Sequence, residues 1–389
     1  MEHSILPPSS ADIWSKCSGW VVMSQSFPET EETEQQRIGT AAHEVASKYV
    51  ESYARGAMYN PKIGDVTSNN VTIDDEMLEC CEMYADDIRT VMVKSGAFAA
   101  PFLGVEQRLE MPEISEYSFG TSDCFIFDAN NHALYVWEYK HGHDPVDVFE
   151  NQQLISYAVG VLDYLKKHAP LTAEKVPSMK VIFRIVQPRS FHRDGPIREW
   201  RTDMNAVMGH VWLLNGAALA NMNGGYPAVS GGHCKHCQAR HGCAAALNSG
   251  AALYEVASQA LPLDMTKEAL GVQLSIVSTA RKRLVAIEDA LMQQVETLIR
   301  KGKTVPGWMT QAKNGRETWS VPIEEIHALG DMLQIDLRKQ SAITPKQAVK
   351  LGIDADVIKA YTAKTTSGIE VVPEDTKTLR KIFGVTNNG

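Results

Sequence analysis

Four of the seven cysteines constrain this chain more than any other feature. Cys234, Cys237 and Cys243 form a C-x2-C-x5-C cluster within GGHCKHCQARHGC, and Cys17 stands far upstream in SKCSGW. A chain this long with so few cysteines does not carry a disulfide framework, and clustering of this kind points to a metal–thiolate centre. If the four thiolates serve one centre, the segment from Cys17 to Cys243 must close on itself. Spacing leaves the metal open. Zinc takes four cysteines, or three cysteines and a histidine, and His233, His236 and His241 interleave the cluster. A [4Fe–4S] cluster also takes four thiolates. Cys80, Cys81 and Cys124 fall outside the pattern and read as buried apolar thiols.

Hydrophobic period sets the elements between those cysteines. Ile38, Ala42, Val45, Ala46, Tyr49, Val50 and Tyr53 recur at three- and four-residue spacing, which predicts a helix over 31–57. A second helix is expected over 74–95. The period then changes, and strands are expected at 103–111, 119–127 and 133–139. The last of these, ALYVWEY, is a nearly continuous apolar run of the kind found in buried strands. DANNH before it reads as a tight turn. A helix at 145–167, a strand at 180–187 and a helix at 200–222 follow. This order implies one α/β domain over 1–248 with a mixed central sheet flanked by helices. Beyond it we expect a long helix and connecting segment over 249–320 and a small helical module over 321–389, so the C-terminal region is mainly helical.

Chemistry concentrates on Asp123, in GTSD, and on Glu138-Tyr139-Lys140. Glu138 and Lys140 end a strand at i, i+2 and so share a face. A hairpin would bring Asp123 beside Glu138. Paired carboxylates suit Mg²⁺ or Mn²⁺, and a lysine there can stabilise charge on a phosphate. An acid-x-Lys triplet alone is weak, and Asp375-Thr376-Lys377 is a second one. That decoy lacks a preceding apolar strand and an upstream acid. Two charges at the end of ALYVWEYK, by contrast, are costly unless paired or used. His43, in Gly39-Thr40-Ala41-Ala42-His43, is a further ligand type on the first long helix. Gln153 and Tyr157 lie at i and i+4 on the helix after Lys140, where both side chains can meet a nucleic-acid backbone or base.

In order along the chain, G-T-x-x-H, G-x-x-D, E-x-K and Q-x-x-x-Y together resemble the RecB-type branch of the PD-(D/E)XK nucleases. The resemblance implies a restriction-endonuclease-like core in which His43, Asp123 and Glu138 bind Mg²⁺ or Mn²⁺, with the Tyr139 carbonyl as a further ligand. It implies Lys140 as the catalytic lysine, acting with Asp123 and Glu138, and Gln153 and Tyr157 as DNA contacts. One distant cysteine with three clustered ones around such a core is similar to the iron–sulfur nucleases of the AddB class and of CRISPR adaptation. By that resemblance Cys17, Cys234, Cys237 and Cys243 hold a [4Fe–4S] cluster that staples the domain, with zinc the alternative. The implied activity is metal-dependent hydrolysis of DNA at single- or double-stranded ends. The implied setting is phage or prophage recombination and repair, beside a single-strand annealing or recombination protein, and self-association is one route to processivity. The alternative is a DNA-binding or assembly protein that keeps the fold, and a zinc site, without catalysis.

Bulk properties fit without deciding. Composition is that of a globular protein, 44% hydrophobic and 22% charged. No apolar run reaches the roughly 18–20 residues of a membrane span. MEHSILPPSSADIW lacks the basic and apolar regions of a secretory signal, so a cytoplasmic protein without a membrane partner is expected. The net charge of −9 requires any nucleic-acid groove to be local. Gly302-Lys303-Thr304 is not a phosphate-binding loop, because Thr297 stands where the first glycine belongs. The basic run Arg281-Lys282-Arg283 reads equally as a phosphate grip or a solvated helix face.

Overall fold

The computed structural model describes residues 4–26, 32–169, 171–192, 194–224, 227–259, 264–319, 321–338, 348 and 353–373. Two short helices, α1 (Ala11–Trp14) and α2 (Trp20–Gln25), precede the first long one. α3 (Glu34–Ala54) starts at a capping box in which Thr33 and Gln36 satisfy each other's backbone N–H. α4 (Asp75–Ser95) starts where Asp74 accepts from Met77 N–H at 2.8 Å and ends at left-handed Gly96. Local signals that strong explain why both helices lie where the sequence places them.

The central sheet holds β1 (Leu103–Glu110), β2 (Phe119–Asp128), β3 (Ala133–Tyr139), β4 (Lys180–Val186) and β5 (Ile197–Asp203), in that spatial order. The β1–β2, β2–β3 and β4–β5 pairs are antiparallel, and β3–β4 is parallel. A parallel pair needs a crossover, which α5 (Gln152–His168) supplies. The β2–β3 turn is held by Asp128, which accepts from the N–H groups of Asn130 and Asn131. α5 and α6 (Met204–Met222), with α1 and α2, pack on one face of the sheet, through Phe125, Val136 and Phe183. α3 and α4 cover the other, through Cys124, Ile126 and Trp137. β3 is therefore buried on both faces, which is why it reads as a continuous apolar run. The expected mixed α/β sheet with flanking helices is the fold observed.

One strand differs from expectation. β5 takes the start of the segment expected to be helical, and α6 begins only at Met204, capped by Asp203. As an edge strand with one half-buried face, IREWRTD alternates charge with few apolar residues and hides its period.

Beyond the cysteines come α7 (Ala244–Ala257) and α8 (Lys267–Arg300). The chain divides into two compact units, Met1–Ala290 and Leu291–Gly389. The first therefore extends past the expected boundary at 248. The cause is docking of α8: Arg240 donates to the carbonyl of Ala286 at 2.8 Å, and Ala280, Ala286 and Ala290 are buried. In the second unit β6 (Trp308–Trp319) pairs antiparallel with β7 (Thr362–Pro373), around α9 (Ile323–Leu333) and α10 (Ala355–Ala360). β7 lies within the stretch expected to be a helical module, and the connecting segment expected before 320 carries the strand β6. The decoy triplet at Asp375 lies outside the described residues. Among the described residues, no helix is long and apolar enough to cross a membrane.

Candidate functional site

Strand register assembles a row of carboxylates. Val105 pairs with Cys124 and Gln107 with Ser122, which sets Glu106 opposite Asp123. Cys124 pairs with Trp137, which sets Asp123 opposite Glu138. Glu106, Asp123 and Glu138 thus stand side by side across β1, β2 and β3. Asp123 and Glu138 share strand parity with Phe125 and Val136, the residues facing α5. His43 arrives from α3, on the other layer. Its Nδ1 lies 3.4 Å from Asp123 Oδ1 and 3.8 Å from Glu106 Oε1. One ligand atom from each of His43, Glu106 and Asp123 lies within 4.8 Å of the others, a grouping that can hold a metal ion.

Glu106 was not singled out in the sequence. VEQRLE reads as a polar strand face, and only its pairing to Asp123 reveals its place. Its backbone adopts φ of 45°, the left-handed region that non-glycine residues seldom enter. Strain of this kind concentrates at functional sites.

Electrostatics follow from this crowding. Burial raises the Asp123 carboxyl, but His43, the Tyr139 N–H at 2.7 Å and Lys140 outweigh it, and the group is held below its usual range. Burial, with Asp123 adding to it, pushes Glu138 up to about 7 against the pull of Lys140. Partial burial opposes the charge on His43, but Asp123, Glu106 and Glu138 prevail and push it up to about 10. Glu138 Oε1 pairs with Lys140 Nζ at 2.6 Å, whereas its buried Oε2 has no hydrogen-bond partner among the described residues. A buried carboxylate oxygen left bare beside two other acids fits a cation-binding role.

α5 completes the arrangement. Asn151 caps it by accepting from the N–H groups of Gln153 and Leu154, which fixes Gln153 in the first turn. Gln153 Oε1 accepts from Lys140 Nζ at 3.2 Å, and its Nε2 donates to Glu138 Oε1 at 2.9 Å and Tyr157 Oη at 3.4 Å. Tyr157 is only 4% exposed and packs near Gly120. Its Oη lies within hydrogen-bond reach of Gln153, so of the pair Tyr157 is the buried member and Gln153 the half-buried one. Tyr139 gives its N–H to Asp123 and turns its ring inward, with Oη 2.9 Å from His141 Nδ1 and the ring against His43. Gly39 and Thr40 lie on α3 ahead of His43, with open space where a Gly39 Cβ would project.

The four cysteines converge elsewhere. Cys17, Cys234, Cys237 and Cys243 line one small cavity with Trp20, between α2 and the loop before α7. Buried Asn221 of α6 holds the ends together, donating to Trp14 O at 2.8 Å and accepting from Val21 N–H at 3.2 Å. Gly19 passes so close that a Cβ there would meet Ala228 N at 2.7 Å. Val229 N–H points to Cys17 Sγ at 3.4 Å, and Gly231 N–H to Cys234 Sγ at 3.3 Å. Burial raises both thiols, but His233 and these N–H groups draw them below their usual range, Cys234 to about 7. Of the three interleaved histidines, His233 is the one set against the thiols, and Cys17 and then Cys234 push it up to about 10. Burial pushes Cys237 up to about 11. Cys80 and Cys81 of α4 and Cys124 of β2 lie in the core that α3 and α4 form with the sheet.

Residues 3–377 match a family described as "Protein of unknown function (DUF2800)", and the chain belongs to that family.

Proposed function

We propose that this protein is a Mg²⁺- or Mn²⁺-dependent deoxyribonuclease that hydrolyses phosphodiester bonds at DNA ends. The observation that carries the reading is the meeting of His43, Glu106 and Asp123 with the Glu138–Lys140–Gln153 network across one strand row. His43, Glu106, Asp123 and Glu138, with the Tyr139 carbonyl, would hold the ion. Bound there, it supplies Lewis acidity toward a phosphate oxygen and makes water a competent nucleophile at neutral pH. The chain's own groups do the rest. Lys140, held by Gln153, would stabilise the charge that accumulates on the phosphate. Gln153 keeps Lys140 and Glu138 in one geometry, and Tyr157 Oη lies within hydrogen-bond reach of Gln153. Tyr139 N–H fixes the Asp123 carboxylate.

The four-cysteine cavity is proposed to hold a [4Fe–4S] cluster with a stapling role. A [4Fe–4S] cluster takes four thiolates, and four cysteines line this one cavity. The gathering of all four thiols, and the N–H groups aimed at two sulfurs, support the cluster. A role in phage recombination or repair, in the cytoplasm and beside an annealing or recombination protein, belongs to the same proposal, as does self-association.

Digestion of end-labelled single- and double-stranded DNA with Mn²⁺ or Mg²⁺ tests the reading. Wild-type protein should cleave, and Asp123→Ala and Lys140→Ala should lose at least about a hundredfold in rate with unchanged circular dichroism. Equal cleavage by both variants and wild type would sink the site. DNA binding without cleavage under either metal would favour a non-catalytic role.

A further inference from the structure

A cleft of about 720 Å³ lies in the first unit between the cysteine loop and α8. Five cations line it: Lys235 and Arg240 from the cysteine loop, and Arg281, Lys282 and Arg283 from α8, with Asp289 the acid among its lining residues. A solvated helix face disperses its charges into water. Here cations from two elements face one another across a concave wall, in a chain of net charge −9. Such an arrangement builds a local positive field that an anion relieves.

The roles within the groove differ. Arg240 is buried and donates to Ala286 O at 2.8 Å and to Cys237 O at 2.9 Å, so it docks α8 and adds its field. Arg283 donates to Ser230 Oγ at the groove's side. Arg281 and Lys282 are exposed and carry the charge that meets a ligand. Lys235 is exposed and pairs with Asp144 at 2.7 Å. That pair ties the groove to the loop leaving β3 just after Lys140. The same loop is fixed by buried Gln187, which donates to the carbonyls of Gly142 and Asp144. The groove therefore opens beside the loop that leaves the Lys140 end of the sheet.

We infer that this groove binds the phosphodiester backbone of a single DNA strand running between α8 and the Lys140 end of the sheet. The inference rests on the DNA reading proposed above. It deepens that reading by assigning the substrate's path and strandedness. The volume lies within the ordinary range for ligand clefts, about 300–1,000 Å³, which admits a few nucleotides of one strand in a channel. Repeating phosphates answer the series Lys235, Arg281, Lys282 without any base contact.

The test is binding of a 5′-fluorescein-labelled oligothymidylate to the full-length, anaerobically purified protein, by anisotropy without divalent metal. The Arg281→Gln/Lys282→Gln variant should bind roughly tenfold more weakly at physiological salt. Its plot of log affinity against log salt should be shallower by about 1.4, two single-strand phosphate contacts at about 0.7 each. A charge-matched control, Arg55→Gln/Lys94→Gln, should bind like wild type. Lys282→Arg, which keeps the charge, should bind like wild type even if the double variant proves unstable. An unchanged salt slope in the groove variant, equal losses in the control, or a loss seen with blunt duplex alone would overturn the inference. Binding is read without turnover, so a protein that binds through this groove but never cleaves defeats the nuclease reading and leaves the groove intact. Cleavage by the groove variant with wild-type binding defeats the groove alone.

Discussion

Glu106 sits at φ 45° opposite another carboxylate, a position no stability argument recommends. Like charges directly across a strand pair destabilise it, and a left-handed non-glycine residue adds strain. Both costs make sense if a cation is to be held by His43, Glu106 and Asp123, which can take one. Glu106→Gln should therefore weaken Mn²⁺ binding by at least about tenfold while leaving the metal-free melting temperature unchanged or higher. Titration calorimetry and thermal denaturation check the two halves, and unaltered Mn²⁺ affinity would remove Glu106 from the ligand set. Its neighbours were legible at different depths. Asp123, Glu138, Lys140 and His43 announce themselves by residue type and order. Glu106 does not, because its meaning comes from the strand facing it.

Elements carry these side chains, and α5 shows how. Asn151 caps the helix, and the first turn beyond the cap presents Gln153 to Lys140 and Glu138. Asn151→Ala should cost about 1 kcal/mol in denaturant melts, the ordinary worth of a cap. Cleavage should fall by more than that loss predicts, because Gln153 loses its fixed place. A parallel drop in both, with activity per folded molecule unchanged, would show that the cap serves stability alone. The same scale explains the element that escaped detection. α3, α4 and α5 each declare a period and a cap. β5 declares neither, since an edge strand such as IREWRTD needs only one half-apolar face, and its pairing to β4 supplies the rest. Likewise, β7 becomes a strand by finding β6 across a long stretch of chain.

At the scale of the molecule, one cavity brings Cys17 to three cysteines more than two hundred residues later, and the proposed centre would join them around the sheet that bears the carboxylates. Closing such a loop is worth roughly 5 kcal/mol in the chain-entropy model, and a metal staple works on the same logic. Cys243→Ser should therefore lower the unfolding temperature of the first unit sharply, and bleach visible absorbance, before it alters metal-dependent cleavage by the molecules still folded. A variant that melts like wild type would deny the centre its stapling role. By itself the sequence determined the helix and strand periods, the four thiols and the His–Asp–Glu–Lys order, because these are local patterns or residue types. Tertiary structure alone decided that Glu106 joins the carboxylate row, that Tyr157 is buried, and that the basic run of α8 faces Lys235 across a groove. Each of those depends on strand register or helix docking between residues far apart in the chain, and such pairings leave no trace in local spacing.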